Sequence, residues 1–372
     1  MKQRVMMIAG EASGDLHGAG VVRELKRLNP AVEIFGIGGD KMKKEGMTLT
    51  YHVREMSFMG FVEVLKHLPL IWSVEKSLEQ LLVLKRPDVV VLIDYPGFNL
   101  RFARIAKKHG IKVVYYISPQ VWAWKKGRVK KMNGIIDRML VVFPFEVPIY
   151  EKEGIPVQFV GHPLVEEMLD VMTKEQFTKR FELDPERRFI AVIPGSRKQE
   201  IENLFSVMVR SAAELAGKEK DVVVAVAPNL PMELYRQHLP PNVNVKFIQH
   251  ATHEVMKYAE FAFVTSGTAT LETACVGTPM VVVYRTSALT YLIARFVVKI
   301  KNISLVNIVA GKDIVPEMVQ GDATVENLIR EARAVLGSPE KIVSVKSALD
   351  EIRQKLGGTG ASAHVAEAVM AI

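Results

Sequence analysis

The residues best equipped for chemistry stand directly after apolar runs. "VVVLIDYPGFN" (89–99) closes such a run with Asp94, just ahead of Pro96 and Gly97. A carboxylate at a strand end is a candidate general base. The competing role is an Asx-turn or a cap for the helix starting near Asn99. "AVIPGSRKQEI" (191–201) ends its run in Pro194, Gly195, Ser196 and Arg197, and a helix follows. Gly195 lets the backbone approach a ligand, Ser196 can cap the helix, and Arg197 can clamp a phosphate through two donors. "FVTSGTATLETACVGTPMVVVYR" (263–285) repeats the device with Ser266, Gly267 and Thr268 before a helix that carries Glu272. Hydroxyls and N–H groups there suit a diphosphate, and Glu272 can accept hydrogen bonds from ribose hydroxyls. In both segments ordinary turns and caps are the competing explanation.

"GEASGDLHGAG" (10–20) follows "RVMMIA" and has the strand, glycine turn and helix of a phosphate loop. It lacks the G-x-G-x-x-G spacing and the Lys-Ser/Thr of the known loops. It is assigned instead to a wall facing the nucleotide site, with Glu11, Ser13 and Gly14 turned toward the reacting groups. No D-x-D occurs, so the usual carboxylate pair for Mg²⁺ is missing; no metal site is assigned, and no cofactor is expected. "EIE" (200–202) reads as helix surface, and "HATH" (250–253) as a loop with no zinc set around it.

Two further stretches mix apolar and cationic residues. In "SPQVWAWKKGRVKKM" (118–132), Trp122 and Trp124 stand beside Lys125, Lys126 and Arg128. That suits a nucleic-acid surface, a phosphorylated glycolipid or a membrane interface; a solvated helix with two core tryptophans is the alternative. The segment 56–82 is the most apolar, with Phe58, Phe61, Val62, Val64, Leu65, Leu68, Ile71 and Trp72. Glu63, Lys66, His67 and Pro69 interrupt it, so it cannot span a bilayer but can lie in the interface. A core helix pair is the other option.

These elements need a frame. Apolar runs at 4–9, 33–37, 88–93, 112–117, 138–143 and 157–160, then 188–193, 222–227, 244–248, 261–265 and 279–284, alternate with helical segments. Several are continuously apolar, the pattern of strands buried on both faces of a parallel sheet. The fold class is α/β, two doubly wound parallel-sheet domains facing across a cleft. The boundary falls near residue 163: domain one is 1–163, domain two 164–342, and the helical tail 343–372 crosses back onto domain one. The 372 residues carry a net charge of +8, which favours anionic partners, and Cys275 as the lone cysteine excludes an internal disulfide. The apolar start is too short for a signal peptide, so a cytoplasmic location is expected.

In order and spacing, "GEASGD", "MGFVEVL", "IDYPGFN", "SPQVWAWKKGRVKK", "FPFE", "GHPL", "PGSRKQEI", "SGTATLE", "GTPMVVVYR" and "SLVNIVAG" resemble the lipid-A-disaccharide synthases, from about residue 5 to the C-terminus. The resemblance implies an inverting, metal-free glycosyltransferase of the GT-B fold. Such an enzyme moves 2,3-diacylglucosamine from its UDP conjugate to 2,3-diacylglucosamine 1-phosphate, giving a β(1→6) disaccharide 1-phosphate and UDP. Asp94 matches the family's proposed base. Gly195, Ser196, Arg197, Ser266, Gly267, Thr268 and Glu272 match its UDP site, and Asn307 in "SLVN" matches an asparagine near it. Val62, Val64, Leu65, Leu68, Ile71 and Trp72 match its membrane-contacting face. Trp122, Trp124, Lys125 and Arg128 would lie on the acceptor side. Gly97 stands where related sequences often carry a second acid, so a base at that position would be missing here; the base is assigned to Asp94 because it stands directly on the strand end.

Implied partners are the two glycolipid substrates, the cytoplasmic face of the inner membrane and a second copy of the chain; nucleic acid is not expected. Two other readings remain. One is a related GT-B enzyme using UDP-GlcNAc, a 2-epimerase or the lipid II-forming transferase. The other is a non-catalytic basic α/β protein that binds anionic lipid or nucleic acid.

Overall fold

The structure, a computed structural model, describes residues 3–56, 68–119, 121, 127–168, 171–286 and 302–372. Val62, Val64, Leu65, Trp122, Trp124 and Lys125 lie outside these residues, as do the side chains of Leu68 and Arg128. The chain divides into two compact units, Met1–Pro163 with Leu356–Ile372, and Leu164–Lys355.

The first unit holds β1 (Arg4–Ala9), β2 (Glu33–Gly38), β3 (Thr48–His52), β4 (Val89–Ile93), β5 (Lys112–Tyr116), β6 (Arg138–Val141) and β7 (Val157–Phe159). They form one parallel sheet in the order β3-β2-β1-β4-β5-β6-β7. The second unit holds β8 (Phe189–Ile193), β9 (Asp221–Val226), β10 (Lys246–Gln249), β11 (Phe261–Thr265), β12 (Met280–Tyr284) and β13 (Glu317–Val319), in the order β10-β9-β8-β11-β12-β13. The central strands β4, β8 and β11 are buried along their whole length, as their unbroken apolar sequences require. The sequence pattern missed β3 and β13. Both are edge strands: "TLTYH" is half-exposed and "EMV" is only three residues long.

Each sheet changes direction beside its first strand. From β1 the chain runs outward to β2 and β3, then returns to lay β4 on the other side of β1. In the second unit β8 and β11 are related in the same way. At such a switch point the loops leaving the two neighbouring strands part, and a crevice opens at their carboxyl ends. The loops that leave β1 and β4 are "GEASGD" and "DYPGFN"; those that leave β8 and β11 are "PGSR" and "SGT".

The glycines of "GEASGDLHG" serve close packing. They let helix α1 (Ala12–Leu28) lie tight against the sheet and the helix that follows β2: a Cβ on Gly14 would sit 3.2 Å from Ala9 Cβ, and one on Gly18 would sit 2.9 Å from Ile93 Cδ1 and 2.7 Å from Met42 Sδ. That approach brings the buried Asp15 carboxylate to the start of helix α2 (Asp40–Lys44). There it accepts from the N–H groups of Gly39 (2.7 Å), Met42 (3.0 Å) and Lys41 (3.2 Å). The acid of the motif is therefore a helix cap rather than a ligand group.

Two expectations are corrected. The crossover to the first unit comes at Leu356, not at 343: helix Pro339–Lys355 stays with the second unit, and only helix Ala361–Met370 packs on α1. There Arg138 Nη1 donates to the Ala368 carbonyl (3.1 Å). Along helix α3 (Leu68–Lys85), Ile71 is buried with Val74, Leu78 and Leu82 at helical spacing, so it belongs to the core and not to an outer apolar face. Trp72, 56% exposed, points the other way, as does Val83 three turns later.

Candidate active site

In the first unit, β4 ends in a backbone that L-residues avoid. Asp94 (φ 45°) and Tyr95 (φ 47°) are both left-handed, and helix α4 (Pro96–Lys108) begins at once. Two consecutive non-glycine residues in this region persist only where the surroundings over-determine them. Here they do. The Asp94 N–H donates to the Tyr116 carbonyl (2.9 Å). Its carbonyl accepts from Tyr115 Oη (2.6 Å) and from Asn99 Nδ2 (2.7 Å). The buried Asn99 amide also reaches the Ile93 carbonyl (3.1 Å), and Tyr95 Oη donates to the Met56 carbonyl (3.0 Å). Gly10 completes the clamp, because any Cβ there would lie inside the Tyr95 ring. The N-cap of α4 is Tyr95, so the helix-capping role open to Asp94 is not the one it takes.

The turn ends the strand at Asp94, and its carboxylate is half-buried. Burial pushes its pKa up to about 6, the Glu11 carboxylate pushes the same way, and the Tyr95 N–H and His17 pull back. Glu11 is exposed at the head of α1, as is Ser13, while Gly14 is buried against β1 and cannot face a ligand. Beyond β7, burial and the neighbouring His17 push the His162 imidazole down to about 3, so it is neutral near pH 7. Its ring packs 5.2 Å from that of Phe143.

In the second unit the two loops at the switch point differ. After β8, Gly195 takes φ 99° and turns the N–H groups of Ser196 and Arg197 onto one oxygen, Glu200 Oε2, at 2.9 and 3.0 Å. Arg197 Nη1 binds the other oxygen at 2.9 Å. Glu200 is thus no helix-surface residue. The cap position belongs to Arg197 and not to Ser196, whose carbonyl instead accepts from Asn229 Nδ2 (2.9 Å). After β11, Gly267 adopts φ 156° and ψ −160°, a region open essentially to glycine, and caps helix Thr268–Cys275. The first-turn N–H groups of a helix have no partners within it, and they carry the positive end of its dipole. Ser266 Oγ donates to the Ile303 carbonyl (3.1 Å), while Gly267 and Thr268 are exposed.

Glu272, a turn further in, pairs with His253 Nε2 at 3.5 Å. His253 is therefore not in a loop: it lies in helix Thr252–Tyr258. Burial lowers its pKa, but the hydrogen bond and charge of Glu272, with Glu167 and Glu254, outweigh that and raise it. Asn307 is buried and fully spent. Its Nδ2 donates to the Val315 carbonyl and Glu317 Oε1 (both 2.9 Å), and its Oδ1 accepts from Ile314 N–H (2.9 Å) and Val315 N–H (3.1 Å). It shapes the loop 313–317 and has nothing left for a ligand.

The raised pKa of Asp94 carries a stability cost. Its native carboxyl binds a proton more tightly than the unfolded one does, so its contribution is most favourable below pH 4 and is lost as the pH rises to about 6. A shift of about two units corresponds to about 3 kcal/mol. Asp94→Asn keeps a residue type that tolerates the left-handed turn. The substitution should raise the melting temperature at pH 8 relative to the wild type, and raise it less at pH 4. A loss of stability at pH 8 would contradict the assignment.

The chain matches the family model described as Lipid-A-disaccharide synthetase over residues 5–370. It is 42% identical over 370 residues to the lipid-A-disaccharide synthase of Geobacter sulfurreducens, covering 99% of this chain and 96% of that protein. It is also 42% identical over 374 residues to that of Syntrophus aciditrophicus, covering 99% and 97%. Among solved structures it resembles a UDP-GlcNAc 2-epimerase from Neisseria meningitidis bound to UDP-GlcNAc (TM-score 0.66, 16% identity, 100% of both chains). A calicheamicin glycosyltransferase is similar in fold (TM-score 0.63, 16% identity, 100% of this chain and 98% of that one). These distant likenesses show the GT-B fold alone and do not favour an epimerase. With a matching family model over nearly its whole length and close relatives that carry the same name, the chain belongs to the lipid-A-disaccharide synthetase family.

Proposed function

We propose that this chain transfers 2,3-diacylglucosamine from UDP-2,3-diacylglucosamine to C6 of 2,3-diacylglucosamine 1-phosphate, with inversion and without a metal. Asp94 takes the proton of the acceptor 6-hydroxyl. The oxygen forms its bond to the donor C1 as the bond from C1 to the UDP oxygen breaks, and UDP leaves with the electron pair. The observation that carries the reading is Asp94 itself: a carboxylate with its pKa near 6, set on a strained turn at the switch point. A base with that pKa is largely ionised at pH 7 to 8 and still basic enough to accept a proton in the transition state. Arg197 and the N-terminus of helix Thr268–Cys275 meet the charge that develops on the diphosphate, and Glu272 meets the ribose.

The acyl chains of both substrates need an apolar surface. Trp72, Val83 and Leu84 on α3 are 56%, 54% and 77% exposed. No described helix is long and apolar enough to cross a membrane. With a net charge of +8, this face is assigned to contact an anionic lipid surface at the cytoplasmic side of the inner membrane.

Incubation with both substrates should yield the disaccharide 1-phosphate by mass spectrometry. The log of the rate should rise with pH at a slope near one and level off above about pH 6, following the Asp94 carboxyl. Asp94→Asn should cost about 10²- to 10⁴-fold in rate and abolish that limb. Near-normal turnover in the variant would remove Asp94 from the role of base. For the surface, Trp72→Ser should weaken co-sedimentation with phosphatidylglycerol vesicles several-fold without changing the melting temperature. Binding equal to wild type would show that α3 does not touch lipid.

A further inference from the structure

The two loops of the second unit are unequal, and Glu200 makes the difference. The backbone of Gly195, Ser196 and Arg197 forms a concave nest of the kind that holds a phosphate oxygen. The nest is already filled by the protein's own carboxylate. Glu200 Oε2 takes both N–H groups, at 2.9 and 3.0 Å, and a Cβ on Gly195 would collide with the same oxygen. The bond from Arg197 Nη1 to Glu200 Oε1 uses the second oxygen. The Glu200 side chain is 13% exposed and that of Arg197 is 75% exposed. A five-residue π-helical turn, Ile201–Phe205, follows at once and leads into helix Ser206–Ala216.

The geometry points to Glu200 as a positioning residue for the donor site: it fills the "PGSR" nest permanently and aims the Arg197 guanidinium, so that the diphosphate is bound by the free edge of Arg197 and the N-terminus of helix Thr268–Cys275. This rests on the donor-site assignment above. An arginine this exposed ordinarily samples many rotamers, and an exposed ion pair does little to hold it. Here one end of the pair is fixed by two backbone donors. The guanidinium is thus held by one nitrogen, and its other donors stay available in a set orientation. Helix Thr268–Cys275, by contrast, is capped by a glycine, and among the described residues no side chain accepts from its first-turn N–H groups.

A double-mutant cycle on the full chain, read by calorimetric titration with UDP, tests this. Glu200→Gln keeps an oxygen for the two backbone donors but turns an amide nitrogen, which cannot accept, toward Arg197. It should weaken UDP binding roughly fivefold with little change in melting temperature, and Arg197→Ala should weaken it at least as much. In the Arg197→Ala background, Glu200→Gln should have no further effect. Tighter UDP binding in Glu200→Gln would mean that the carboxylate is a plug which the phosphate displaces, and would overturn the proposal. Equal losses in both backgrounds would show that Glu200 acts only through the fold, and would overturn it too. If Arg197→Ala and Thr268→Val both leave UDP affinity unchanged, it is the donor-site assignment that fails. Should Glu200→Gln unfold, Glu200→Asp answers the same question: its shorter carboxylate should release Arg197 and show the same loss, confined to the Arg197 background.

Discussion

The left-handed turn at Asp94 and Tyr95 is the constraint from which the first unit can be understood. Such a turn costs on the order of 1–3 kcal/mol for each non-glycine residue and must be held from outside. β5 holds it through Tyr115 and Tyr116, α4 through Asn99, and the loop after β1 through the missing side chain of Gly10. Each support comes from a different element, so the sheet order is what brings them together. What the strain achieves is placement: the carboxylate leaves the strand axis at the crevice of the sheet, half-buried and close enough to Glu11 for the two charges to interact. Burial and a like charge make the group reluctant to ionise, and in the proposed reaction that same reluctance suits it to accept a proton.

In the proposed reaction the second unit meets the opposite problem, the handling of negative charge on a ligand. It has the same strand order around its switch point. Its two loops share the strand, glycine turn and helix plan, yet one turns its donors inward onto Glu200 and the other leaves a helix end capped by glycine alone. Buried and half-buried polar groups bond to one another in the same unit. Asn307, Ser304 and Glu317 bond one another, and Ser266 ties into the same segment through the Ile303 carbonyl. His253 stands behind Glu272.

Much of this was legible in the residues. Continuous apolar runs gave the central strands of both sheets, and the residues just past them gave Asp94, Arg197 and the Ser266–Thr268 turn. What escaped was of two kinds. The edge strands β3 and β13 carry no apolar run, because "TLTYH" is half-exposed with polar residues throughout and "EMV" is only three residues long. The supporting side chains escaped because their partners are distant in sequence or their backbone is special. Nothing local says that His253 meets Glu272 or that Asp15 caps α2. Glu200 carries no capping-box signal, because the box counted from Ser196 ends at Gln199 and an arginine side chain at the cap has no acceptor. Ile71 differs from its expected place for the reverse reason. An apolar cluster does not reveal which of its faces is inward until the helix phase is set by Val74, Leu78 and Leu82.

In the proposed reaction the surroundings of Asp94, not its residue type, fit it for the role of base. The most direct measurement is the titration of its carboxyl carbon by NMR, assigned by comparison with Asp94→Asn. The account predicts a midpoint near pH 6 in the wild type, and a lower one in Glu11→Gln, where one of the two groups that raise it is removed. A midpoint near the ordinary aspartate value of about 3.9, unmoved by the change at Glu11, would contradict it.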